Sequence, residues 1–150
     1  MVPSASPAAD ADLPAIVELL AANGLPTADV RGDSRPEFLV MRQGRRVIGV
    51  VGLERFGAVG LLRSLAVSVE HRRLGLGIAL THALEEHAVR AGLKSLVLLT
   101  ETAAGFFERR GYHVIARADV PAAVQASAEF RTLCPASAVC MIRELELGRA

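Results

Sequence analysis

The sequence predicts an α/β chain built on a mixed sheet, and three observations carry that expectation. Three β-rich runs, "EFLVMR", "RVIGVVGLERF" and "VGLLRSLAVSV", follow one another across the turns "QGR" and Phe56-Gly57, the pattern of an antiparallel meander. From Leu76 the apolar spacing changes from strand-like to helix-like, with Leu76, Leu80, Leu84 and Ala88 on one stripe. Directly after it comes "KSLVLLT", a buried strand, so strand, helix and strand read as a crossover unit with a parallel pair.

Each element has its own signal. "ADADLPAIVELLAANG" reads as the first helix, capped by Asp10 or Asp12, with Pro14 early, Leu13, Ile16, Val17 and Leu20 at helical spacing, and Asn23-Gly24 as the stop. The meander follows. In the long helix His82, Glu85, Glu86 and Arg90 occupy the other faces and Gly92 ends it. Leu62–Val67 and Ser95–Thr100 are then the expected parallel neighbours, with the site at their carboxyl ends. Beyond them "TAAGFFERRG" reads as helix to Gly111, "YHVIAR" as extended, "VPAAVQASAEFRTL" as helix with Pro121 near its first turn, and "AVCMIRELEL" as a closing strand able to mediate a homodimer. Residues 1–150 are expected to form a single domain, with residues 1–10 a disordered lead-in.

Composition narrows the function classes. With 150 residues, 51% of them hydrophobic and 22% charged, the chain has material for a packed core. A formal net charge of +1 gives no general pull toward nucleic acid or anionic membrane, so any anion site must be local. Uncharged runs fall short of a membrane span, and "MVPSASPAADAD" lacks the basic and apolar regions of a secretory signal, so the cytoplasm is expected. Cys134 and Cys140 have neither redox nor zinc spacing and read as reduced, buried thiols. His71, His82, His87 and His113 share no metal spacing, and no metal is expected.

The chemistry concentrates in "HRRLGLGIAL", between an apolar strand and the first turn of a helix. Unpaired backbone N–H groups and the helix dipole favour an anion there. Gly75 and Gly77 remove Cβ atoms where backbone must approach a phosphate, and Arg72 and Arg73 supply charge. ATP and dinucleotide cradles fit less well, because no Lys-Ser/Thr follows the loop and Leu80 stands at the third glycine position.

"LAVSVEHRRLGLGIAL" resembles motif A of the GNAT superfamily of N-acetyltransferases, and "AAGFFERRGY" resembles the same family's late helical segment. The resemblance covers about Asp12 to Leu147 and implies a mixed, largely antiparallel sheet with a splayed parallel pair at its centre and helices on both faces. It implies acetyl-CoA as co-substrate, the backbone of Leu65, Ala66 and Val67 pairing with the pantetheine arm, and Arg72, Arg73, Leu74, Gly75, Leu76, Gly77 and Ile78 around the pyrophosphate. An amide near Leu65 or Ala66 would face the thioester carbonyl. The family's usual acid, a tyrosine, falls on Phe107; water, Thr100 or Thr102 would serve instead, and Tyr112 reads as core. Glu54 and Glu101 are the candidate bases, each also readable as a solvated strand-end charge.

The C-terminal half also resembles the acetyltransferase domain of N-acetylglutamate synthases and the small N-acetyltransferases encoded in arsenic-resistance operons. Of the serine and arginine that hold glutamate in the synthases, Ser137 matches the first and Pro135 replaces the second. An amino-acid-like acceptor still needs a cation for its carboxylate. Arg63, two residues before Leu65 and by alternation on the same sheet face, is either that clamp or half of an internal ion pair with a residue such as Glu54. Arg31, Arg35 and Arg131 are further loop cations, and "RGDSRPE" could close over the acceptor. The implied activity is N-acetylation of a small amino-acid-like amine, with toxic arsenical or phosphinic glutamate analogues in view. The alternatives are a protein or peptide N-acetyltransferase and a non-catalytic CoA-binding sensor.

Overall fold

In the computed structural model, which describes residues 4–32, 35–133 and 136–145 with the side chains of 132 and 133 excepted, the first helix, α1, spans Leu13–Ala22. Pro14 sits in its first turn, where a missing N–H breaks no helical bond. Its buried face is Leu13, Ile16, Leu19 and Leu20. Asp12 stands at the N-cap, yet its carboxylate makes no helix-cap bond. Instead Oδ2 accepts the Ala9 backbone N–H at 2.7 Å and an Arg42 N–H at 2.5 Å.

Among the described residues seven strands form one sheet: β1 (Ser6–Pro7), β2 (Glu37–Gln43), β3 (Arg46–Phe56), β4 (Val59–Val67), β5 (Ser95–Thr100), β6 (His113–Val114) and β7 (Val139–Glu144), in the order β1-β2-β3-β4-β5-β7-β6. β2 pairs antiparallel with both β1 and β3, β7 antiparallel with both β5 and β6, while β4 and β5 run parallel. The expected mixed sheet with a parallel pair at its centre is therefore present.

Four expectations need correction. The parallel register joins Val59–Leu61 to Ser95–Val97, not Leu62–Val67, because Lys94 N–H bonds Ala58 O at 2.7 Å and sets the pairing from the start of β4. Residues 1–10 are not a free lead-in throughout: Ser6 and Pro7 pair with Val40 and Leu39, giving the backbone groups of β2 a partner on that side. "VPAAVQASAEFRTL" is not one helix; a short α-helix at Ala122–Gln125 ends near Ser127, whose Oγ accepts the Phe130 N–H at 3.4 Å, and a separate wide helical turn covers Glu129–Leu133. Finally, β7 lies between β5 and β6, so the outer strands are β1 and β6, and pairing between copies through β7 is blocked where β6 covers Met141 and Ile142.

The chain divides into two compact units, residues 1–54 with 62–87 and residues 55–61 with 88–150. In the first, Leu13, Ile16 and Leu20 of α1 pack with Val30, Phe38, Val40, Val50 and Ala66. In the second, Leu61, Val97, Val120, Val124, Phe130 and Cys140 form the core. The long helix, α2 (Leu76–Arg90), buries its expected stripe of Leu76, Leu80, Leu84 and Ala88. A Cβ on Gly49 would stand 2.8 Å from Leu80 Cδ1, so the bare glycine of β3 leaves room for that α2 side chain against the sheet.

Candidate active site

The turn that opens α2 lies wholly within the first unit. Its helical ladder begins with Ala79 N–H on Gly75 O at 3.1 Å, which leaves the N–H groups of Leu76, Gly77 and Ile78 without intrahelical acceptors. Gly75 has φ +80° and Arg73 φ +71°, both left-handed, so the chain turns sharply before the helix. Glycine takes that conformation without penalty; Arg73 does not, and backbone strain of this kind gathers at ligand sites. Arg72, Arg73, Leu74 and Ile78 are exposed around the turn. Arg72 Nη2 donates to Asn23 Oδ1 at 2.7 Å.

Flanking side chains fix the approach to this turn. Arg46 holds Glu70 at 2.5 Å. Their hydrogen bond, then their Coulombic attraction, raises the arginine and holds the carboxyl below its usual range. Buried His71 donates its Nε2–H to Gln43 Oε1 at 3.1 Å.

One strand earlier, the expected alternation fails. Ser64 has φ +59°, which breaks the regular pleat of β4 immediately before Leu65 and Ala66. Spacing alone therefore does not put Arg63 and Leu65 on one face: Arg63 is buried, Leu65 half-buried and Ala66 in the core. The Arg63 side chain is 1% exposed and forks onto Asp29, Nη1 to Oδ2 at 2.6 Å and Nη2 to Oδ1 at 2.8 Å. Nη1 also meets Glu54 Oε1 at 3.0 Å, and Nε donates to Ser64 Oγ at 3.1 Å. Of the two readings of Arg63, the geometry is that of the internal ion pair, widened to two carboxylates.

In the second unit, Phe107 belongs to α3 (Ala104–Glu108) and is buried, edge-on to Phe106 and to Tyr112 with ring centres 5.1 and 5.4 Å apart. Tyr112 is the core aromatic that the sequence indicated. Thr100 Oγ1 accepts the Ala103 N–H at 3.0 Å, and Thr102 and Glu101 are exposed. Ser137 is exposed in the turn before β7. Burial raises the Cys140 thiol above its ordinary range, with Arg117 opposing. Pro135 and Cys134, and the Asp33-Ser34 part of "RGDSRPE", lie outside the described residues. Among the described residues no group of three His, Cys, Asp or Glu could hold a metal, and no helix is long and apolar enough to cross a membrane.

Two participants, Asp29 and Asn23, carry no sequence signal for their roles. Asp29 lies in a turn-rich connection with no periodicity, and Asn23 reads only as a helix stop.

The acetyltransferase (GNAT) domain family matches residues 34–114, over half of the chain and including β4, the turn and α2. The chain belongs to this family. Membership agrees with the expected N-acetyltransferase class and with acetyl-CoA as co-substrate. Over 89 residues the chain is 42% identical to a mycothiol acetyltransferase of Parafrankia sp. (strain EAN1pec), a match covering 49% of this chain and 27% of that protein. The GNAT chain thus spans only about a quarter of that curated relative. N-acetylglutamate synthase from Neisseria gonorrhoeae, complexed with coenzyme A and N-acetyl-glutamate, is similar at TM-score 0.83 and 20% identity, over 95% of this chain and 35% of that one. Rv2747 from Mycobacterium tuberculosis, in complex with CoA and NLQ, is similar at TM-score 0.80 and 23% identity, over 96% and 100%. These two likenesses are likenesses of fold.

Proposed function

We propose that the chain transfers the acetyl group of acetyl-CoA to the amine of a small amino-acid-like acceptor. The opening turn of α2 carries this reading: three outward backbone N–H groups, at Leu76, Gly77 and Ile78, stand beside Arg72 and Arg73, whose charge no carboxylate among the described residues is seen to take. Doubly charged pyrophosphate is the ligand such a turn suits. Arg73, Leu74 and Gly75 complete the wrap, and the end of β4, Leu65 to Val67, offers backbone to the pantetheine arm.

In the reaction the acceptor nitrogen bonds to the thioester carbonyl carbon, the carbon–sulfur bond breaks, the amine gives up a proton and the departing thiolate takes one. An amide near Leu65 or Ala66 stabilises the charge that builds on the carbonyl oxygen. Phe107 has no proton to give, so the thiolate draws its proton from solvent. Glu54 or Glu101 removes the amine proton through water. On the acceptor side, the Arg63 fork now closed on Asp29 is the grip an α-carboxylate would take on displacing that residue.

The test is release of free CoA thiol by the purified chain over a panel of amino acids, glutamate analogues including arsenical and phosphinic ones, and peptides. Thiol release with small amino acids or their analogues supports the reading. Release with peptides alone points to a protein or peptide acetyltransferase, and tight CoA binding without release to a sensor.

A further inference from the structure

Four arginines of the first unit are neutralised by carboxylates. Arg35 pairs with Asp10, Arg42 with Asp12, Arg46 with Glu70, and Arg63 with Asp29 and Glu54. Arg72 is held differently, by the neutral carboxamide of Asn23, Nη2 to Oδ1 at 2.7 Å. An amide partner restrains the long side chain while leaving its full positive charge for an anion.

Asn23 is itself locked in place. It caps the C-terminus of α1, and its Nδ2 donates to Leu19 O at 2.9 Å and to Val67 O at 3.4 Å. With the NH2 group facing two carbonyls and the oxygen facing a guanidinium, only one orientation of the amide satisfies all three contacts. One side chain thereby ties the end of α1 to the end of β4 and to the loop arginine.

We infer that Asn23 is a positioning residue for acetyl-CoA: it holds Arg72 aimed at the pyrophosphate with its charge uncompensated. The inference rests on the cofactor reading proposed above, and it makes a distinction that a merely structural cap would not. Both variants lose the Nδ2 donations to Leu19 O and Val67 O, but Asn23→Asp keeps an acceptor for Arg72 and cancels its charge, whereas Asn23→Ala removes the restraint and leaves the charge.

The experiment compares acetyl-CoA with S-acetylpantetheine, which lacks the phosphates, as acetyl donor to an acceptor found active in the panel; calorimetry gives the Kd for CoA. Asn23→Ala is expected to raise the KM for acetyl-CoA and the Kd for CoA about fivefold, and Asn23→Asp tenfold or more, with kcat held. For both variants kcat/KM with S-acetylpantetheine should stay within about twofold of the parent, since Arg72 has no phosphate to meet there. Equal losses with both donors would make Asn23 a fold element only and overturn the inference, as would Asn23→Asp binding CoA as tightly as the parent. Arg72→Ala separates the two levels. If it leaves CoA affinity unchanged, the cofactor reading of the turn fails; if it weakens CoA while Asn23→Ala does not, the positioning role alone fails. Should Asn23→Ala unfold, Asn23→Ser at the same helix end repeats the comparison.

Discussion

Both carboxylate oxygens of Asp29 lie on the guanidinium of Arg63, at 2.6 and 2.8 Å, while Glu54 takes a third contact at 3.0 Å. The arginine is sealed from solvent, but the Asp29 side chain is 25% exposed. Under the proposed acceptor reading, a ligand carboxylate would reach the fork by replacing Asp29. Asp29→Asn, with a weaker hold on the fork, should therefore lower the acceptor KM severalfold, and Arg63→Met should raise it at least tenfold with CoA affinity unchanged. Steady-state kinetics with the preferred acceptor reads both. A rise in KM for Asp29→Asn would show that Asp29 builds the pocket.

Phe107→Tyr restores the family's usual acid in name only. The ring is buried edge-on against Phe106 and Tyr112, so an added hydroxyl enters an apolar contact. Burying it without a partner costs about 1–3 kcal/mol. The expected outcome is a lower urea midpoint with kcat unchanged or reduced. A clear gain in kcat would mean that the hydroxyl does reach the leaving sulfur.

At Gly75 the backbone, not crowding, sets the limit: φ is +80° and nothing lies within 4 Å of a built Cβ. Gly75→Ala should cost about 1–2 kcal/mol from the left-handed conformation alone, and β-branched Gly75→Val more. Urea unfolding measures the cost, and the KM for acetyl-CoA should rise in the same order.

The Cys140 thiol is raised by burial, with the Arg117 charge pulling the other way. Because the folded chain favours the protonated thiol, this contribution to stability is present below the ordinary thiol range. It is lost as pH climbs through the raised value. Stability should fall at alkaline pH less steeply in Cys140→Ala than in the parent. At pH 8, peptide mapping after iodoacetamide should find Cys140 unmodified in the native chain and modified in urea.

How much of this was legible beforehand follows from where the information sits. The α2 stripe from Leu76 to Ala88, the meander and the Gly75 turn are local patterns, periodicity and turn chemistry, and all appear as read. Family likeness supplied the cofactor. Arg63 was visible as a cation in an apolar strand, but its partner Asp29 lies 34 residues away in a loop, where no period points to it. Ser64 hid the break in β4 because nothing in a serine announces a left-handed φ. The segment from Val120 to Leu133 reads as one helix because Val124 and Phe130 share one core, while the backbone between them changes course at Ser127.

The bare backbone at Gly49 sets a limit on drift in a place remote from any chemistry. Leu80 fills the space where a side chain would go, and it stands one helical turn after Leu76, where the amides without intrahelical acceptors begin. A methyl added there would have to displace the end of Leu80, so packing in the middle of the sheet sets where that α2 side chain can lie.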